Sequence, residues 1–152
     1  MSDRFIRRAI ELAVHAGTAG NRPFGAVIVA ADGSLLAKGE NDATSRNDVT
    51  AHAELVALRR AQSDGRAAAL TGATVYASGE PCPMCAAALV RAGVGRIVFA
   101  ASTAAFASVL PGGPQFDIGC AELISRCNAG IAVDGPIHED EAITAMRSVG
   151  LG

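Results

Sequence analysis

The chain has 152 residues, half of them apolar and 18% charged, with a formal net charge of −2. That length and apolar content suit one soluble domain with a substantial core and exclude a disordered chain. With a single lysine, Lys38, and a pI near 5.9, the chain has no general pull toward polyanions, which argues against a dedicated nucleic-acid binder.

Arg4, Arg7 and Arg8 lie close together but read as a solvated helix face. The stretch 6–14 is broken by Arg7, Arg8 and Glu11, so it lacks the apolar run of a signal peptide. No apolar run approaches the roughly eighteen residues needed to span a membrane. A cytoplasmic location is the default expectation, and there the four cysteines suit metal binding or core packing better than disulfides.

In chain order, Phe5, Ile6, Ala9, Ile10, Ala13 and Ala16 recur at helical spacing and predict a helix over 3–16, stopped by Gly17. A strand over 24–30, the turn dipeptide Asp32-Gly33 and a strand over 34–38 predict a β-hairpin. The polar stretch 41–50 is a loop, followed by a helix over 51–61. A short strand over 74–77 runs into Ser78-Gly79-Glu80-Pro81, and a helix over 83–92 stops at Gly93. A buried strand covers 96–100. After a Gly/Pro-rich loop, a fourth helix is expected over 116–127, with Cys120, Leu123, Ile124 and Cys127 as its core stripe. A last strand (131–133) and a last helix (138–149) complete the chain. His15 and His138 read as surface residues near helix ends. The alternation of helix and strand predicts one α/β domain over 1–152, a three-layer α/β/α sandwich on a mixed five-stranded sheet.

Two segments carry chemistry: Thr50-Ala51-His52-Ala53-Glu54 and Pro81-Cys82-Pro83-Met84-Cys85, each opening a helix. One imidazole and two thiolates suit Zn²⁺, and three protein ligands leave a fourth position for water, as in catalytic rather than structural sites. Cys82 and Cys85 share one face of a first helical turn, with Pro83 at N1 where its missing N–H costs nothing. His52 and Glu54 would lie about 200° apart within a helix, so they converge only on a metal beyond its N-terminus. Both helices then point free N–H groups at the site, and those near Ala53 and Cys82 are candidates to support a developing negative charge. Glu54 becomes the proton shuttle, an acid/base that is not itself a ligand.

The His52-Ala53-Glu54 and Pro81-Cys82-Pro83-Met84-Cys85 pair resembles the signature of the cytidine deaminase-like superfamily of zinc deaminases. Within it, Pro23-Phe24-Gly25-Ala26-Val27 and the run Asn47 to Glu54 look like guanine deaminases and bacterial tRNA adenosine deaminases. The resemblance implies Zn²⁺ as cofactor, a small-molecule substrate, a homodimer or higher oligomer, Asn41 as a hydrogen-bond partner of the substrate ring, and Phe24 in the pocket wall. Glu80 either touches substrate or orients its loop. By the same resemblance, guanine deaminases of the Bacillus type carry an Asp shortly after the strand matching 96–100. Here Ser102-Thr103-Ala104-Ala105-Phe106 has no acid, and Asp117 is the candidate replacement. The tRNA enzymes usually end in a basic helix, whereas this chain has Glu139-Asp140-Glu141. The expected function is hydrolytic deamination of a free nucleobase or related amino-heterocycle, guanine first. The alternatives are cytosine or another pyrimidine, tRNA adenosine, or a non-catalytic zinc module whose fourth ligand comes from His15, His138, Cys120 or Cys127.

Overall fold

Strand residues with period two and helix residues with period 3.6 bury apolar side chains on both faces of one sheet, as seen in a computed structural model describing residues 2–149. Residues 1 and 150–152 of the expected domain lie outside the described residues. Helix α1 (Ser2–Thr18) leads into the hairpin β1 (Gly25–Val29) and β2 (Leu35–Glu40). A short α2 (Ala43–Arg46) interrupts the loop predicted over 41–50, and α3 (Ala53–Ser63) follows. Then come β3 (Thr74–Gly79), α4 (Pro83–Ala92), β4 (Arg96–Ala101), α5 (Thr103–Val109), α6 (Cys120–Ser125), β5 (Ala132–Asp134) and α7 (Glu139–Val149).

The sheet order is β2-β1-β3-β4-β5; β1 is antiparallel to both neighbours, and β3, β4 and β5 are parallel. The mixed five-stranded sheet is therefore as expected. Ile28, Val75 and Ile97 point to the face covered by α3, α4 and α6. Their neighbours Val27, Tyr76 and Val98 point to the face covered by α1, α5 and α7. This alternation of apolar side chains makes two cores and hence three layers. Among the described residues no helix is long and apolar enough to cross a membrane.

Two expectations fail in the same region. Helix α5 lies where a loop was predicted, and the helix expected over 116–127 has shrunk to Cys120–Ser125. Ser102 caps α5 by accepting the Ala105 N–H at 3.2 Å, and Phe106, Val109 and Leu110 supply its buried stripe. Residues 116–119 instead belong to a largely exposed loop, with Phe116 67% exposed. Cys120 is buried as expected; Cys127 falls beyond the helix end and is only half-buried. Arg7 and Arg8 pair with Glu141 and Glu11, so the N-terminal basic face is partly neutralised.

Candidate active site

Both motif segments begin helices, and each first ligand is the residue just before the helix. His52 caps α3 with extended backbone (φ −73, ψ 154), and Cys82 caps α4 in the same way (φ −71, ψ 168). Helix α3 therefore starts two residues later than predicted. Neither cap residue spends its side chain on the helix, so both are free to meet. Pro83 occupies the first turn of α4 as expected.

His52 Nδ1 lies 3.6 Å from Cys82 Sγ and 3.4 Å from Cys85 Sγ. A tetrahedral zinc with Zn–S near 2.3 Å and Zn–N near 2.0–2.1 Å separates its N and S ligands by about 3.5 Å. One imidazole nitrogen cannot share one proton line with two sulfurs, but a single ion can take all three donors. The donor set and its spacing therefore fit zinc. Among the described residues no fourth ligating atom joins the His52, Cys82 and Cys85 group. The supposed fourth ligands are engaged or unsuitable. His15 Nδ1 bonds Glu40 at 2.8 Å, and His138 Nε2 bonds Asp3 at 3.1 Å. Cys120 and Cys127 lie outside the group of donors that could share one ion.

Taken among the protein groups alone, a hydrogen bond from Cys85, helped by His52, lowers the Cys82 thiol to about 4. Cys85 keeps its proton because Cys82 and burial raise it. The hydrogen bond to Cys82 likewise raises His52 against its burial. Glu54 is 6% exposed. Burial pushes its carboxyl up to about 7, opposed by its own backbone N–H and by His52. A carboxyl held near neutrality beside three metal donors, and not one of them, can take a proton and give it back.

The remaining candidates separate. Ala53 is fully buried at the first turn of α3, and its N–H has no partner among the described residues. Asn41 is buried; its backbone N–H bonds Phe24 O at 2.9 Å and its Oδ1 accepts the Ala43 N–H at 3.1 Å. Phe24 is half-buried and meets the buried Phe106 edge to face, ring centroids 5.0 Å apart. Both rings press on Gly79, where a Cβ would come within 2.7 Å of Phe24 and 3.3 Å of Phe106. Glu80 accepts two backbone N–H groups, those of Thr103 and Cys120. Asp117 sits on the exposed loop before α6, outside the metal-ligand group.

Sequence reasoning missed Phe106 and Gly79. Ser102 and the Phe106, Val109, Leu110 spacing could have revealed the helix that carries Phe106. Nothing local foretells that Gly79 must admit two rings.

Residues 1–101 match the family described as the cytidine and deoxycytidylate deaminase zinc-binding region. The chain is 45% identical over 102 residues to the guanine deaminase of Bacillus subtilis, covering 65% of this chain and 64% of that protein. It is 38% identical over 100 residues to the tRNA-specific adenosine deaminase of Haemophilus influenzae, covering 66% and 58%. It thus spans under two thirds of either relative. The structure of the guanine deaminase from Nitrosomonas europaea superposes with a TM-score of 0.81 at 25% identity, covering 97% of this chain and 84% of that one. With a matching family region over most of its length and a His-Cys-Cys cluster of zinc spacing inside that region, the chain belongs to the cytidine and deoxycytidylate deaminase zinc-binding family.

Proposed function

We propose that this chain catalyses hydrolytic deamination of a free nucleobase or close amino-heterocycle, with guanine the first choice. The observation that carries the reading is the His52, Cys82 and Cys85 cluster of zinc spacing, with the buried carboxyl of Glu54 two residues from His52 and outside the ligand set. His52, Cys82 and Cys85 would hold the zinc. When bound, the ion supplies Lewis acidity that brings the ionisation of water near neutral pH. Glu54 takes a proton from the attacking water and gives it to the ring nitrogen beside the attacked carbon. It then delivers the second proton to the amino group, which leaves as ammonia while the ring gains oxygen. In this reading the Ala53 N–H, which has no partner among the described residues, would steady negative charge developing on that oxygen.

The choice of a small planar base is supported by the half-buried Phe24 ring backed by Phe106. The similarity to guanine deaminases supports it too. Similarity to a tRNA-specific adenosine deaminase favours a second reading. Against it stand the net charge of −2 and the pairing of six of the thirteen basic residues (Arg7, Arg8, Arg46, Arg59, Arg96 and Arg126) with carboxylates, since binding a polyanion leans on basic side chains.

An ammonia-release screen of guanine, cytosine, related heterocycles and an anticodon stem-loop tests the proposal. We expect turnover of at least one free base, guanine ahead of cytosine, with Asn41→Ala slowing it by about one to two orders of magnitude. Inosine formation in the stem-loop with no free base consumed would replace this substrate by tRNA.

A further inference from the structure

Glu80 joins parts of the chain that are far apart in sequence. Its Oε1 accepts the Thr103 N–H at 2.8 Å and its Oε2 the Cys120 N–H at 2.7 Å, while its own N–H donates to Ala101 O at 2.8 Å. Gly119 closes over the carboxylate so tightly that a Cβ there would lie 3.1 Å from Oε2. Segment 103–120, comprising α5 and the exposed loop before α6, therefore leaves from and returns to one carboxylate.

Few other polar ties hold this segment. Glu139 Oε2 accepts the Ser102 N–H at 2.8 Å, and Arg22 donates to Leu110 O at 3.3 Å. Residues 111–118 donate no hydrogen bond among the described residues. Two backbone N–H groups donated to one carboxyl group here close a long loop. Glu80 is also two positions from Cys82, and the segment it holds carries Phe106, which backs Phe24.

We infer that Glu80 is a positioning residue for the substrate pocket: it ties both ends of segment 103–120 to the metal-ligand turn and so holds Phe106 against Phe24. The pocket role rests on the proposed function; the brace itself does not. Phe106 shapes the wall through Phe24, and Glu80 shapes it through α5, so neither touches the reacting atoms.

Glu80→Gln keeps the shape and one acceptor oxygen but sets an NH₂ group against one of the two donors. Hydrogen exchange, zinc analysis and steady-state kinetics on the zinc-loaded protein read the effect. Exchange of the hydrogen-bonded amides of Thr103, α5 and Cys120 should quicken at least about tenfold, with α3 and α4 unchanged and zinc retained. KM for whichever base the wild type consumes should rise about tenfold or more, with kcat within about threefold. Phe106→Leu should raise KM in the same way, and the double variant should be no worse than the more severe single one, because both act through one wall. Unchanged exchange at the amides of Thr103, α5 and Cys120 would overturn the brace. Loss of zinc, or a fall in kcat at constant KM, would overturn the positioning role in favour of direct support of the metal or the chemistry. A wild type inert toward every free base would sink the proposed function, and the exchange result would still decide the brace.

Discussion

His52 and Glu54 are two positions apart, a spacing that a continuous helix would turn to opposite sides. The structure resolves this by leaving His52 as an extended cap and placing Glu54 in the first turn of α3. His52 and Glu54 thus both lie at the N-terminal end of α3. Glu54→Gln should keep zinc and lower turnover at least about a hundredfold, as metal analysis and kinetics together would show. Alanine at His52, Cys82 or Cys85 should cost zinc and activity together, since each removes one of three donors; full zinc occupancy in all three variants would refute the ligand set. Glu54 must be ionised to take the first proton, and burial raises its carboxyl to about 7. The charge of a bound cation pulls that value down, so kcat should rise with pH along an acid limb at or below about 7. A kcat that rises as pH falls below about 7 would remove Glu54 from the proton path.

At the scale of elements, the site depends on how closely β2 lies against α3. A Cβ on Gly39 would come within 2.3 Å of Ala53 O and 2.6 Å of Ala57 N, both of them backbone atoms of α3. Gly39→Ala must therefore push α3 away and carry His52 and Glu54 with it. We expect a loss of about 2 kcal/mol or more in urea unfolding, with a larger fall in kcat/KM than instability explains. Gly33, in the hairpin turn at φ +91, has nothing within 4 Å of a Cβ. Gly33→Ala should cost about 1 kcal/mol through backbone strain and leave kcat/KM unchanged. Equal effects of the two substitutions on kcat/KM would mean that the contact between β2 and α3 does not set the site.

For the whole molecule, the two apolar layers on opposite faces of the sheet are extensive and mostly independent of the three ligands. Removal of zinc by a chelator should abolish turnover and leave the fold in place at 25 °C. A ligand present at a thousandfold excess over its Kd adds about 4 kcal/mol to a native state, so Tm should fall by about 10 °C and return when zinc is restored. Complete unfolding on chelation, read by circular dichroism, would make the site a structural one.

Much of this was written in short stretches of sequence. The apolar periodicities predicted α1, the hairpin, α4 and the layered mixed sheet, because burial on one face or two leaves a local pattern. The His52, Cys82 and Cys85 cluster was legible, with Glu54 close to it, because each ligand-bearing segment opens a helix and metal chemistry restricts the residue types. The tertiary structure alone decided what lies around them. It gave Glu80 its partners Thr103 and Cys120, which are 23 and 40 residues away. It brought Phe106 to Phe24 across 82 positions, and it began α6 at Cys120, whose N–H finds its acceptor in Glu80. Local sequence records what a segment can become, whereas hydrogen bonds between distant segments record where the rest of the chain has gone.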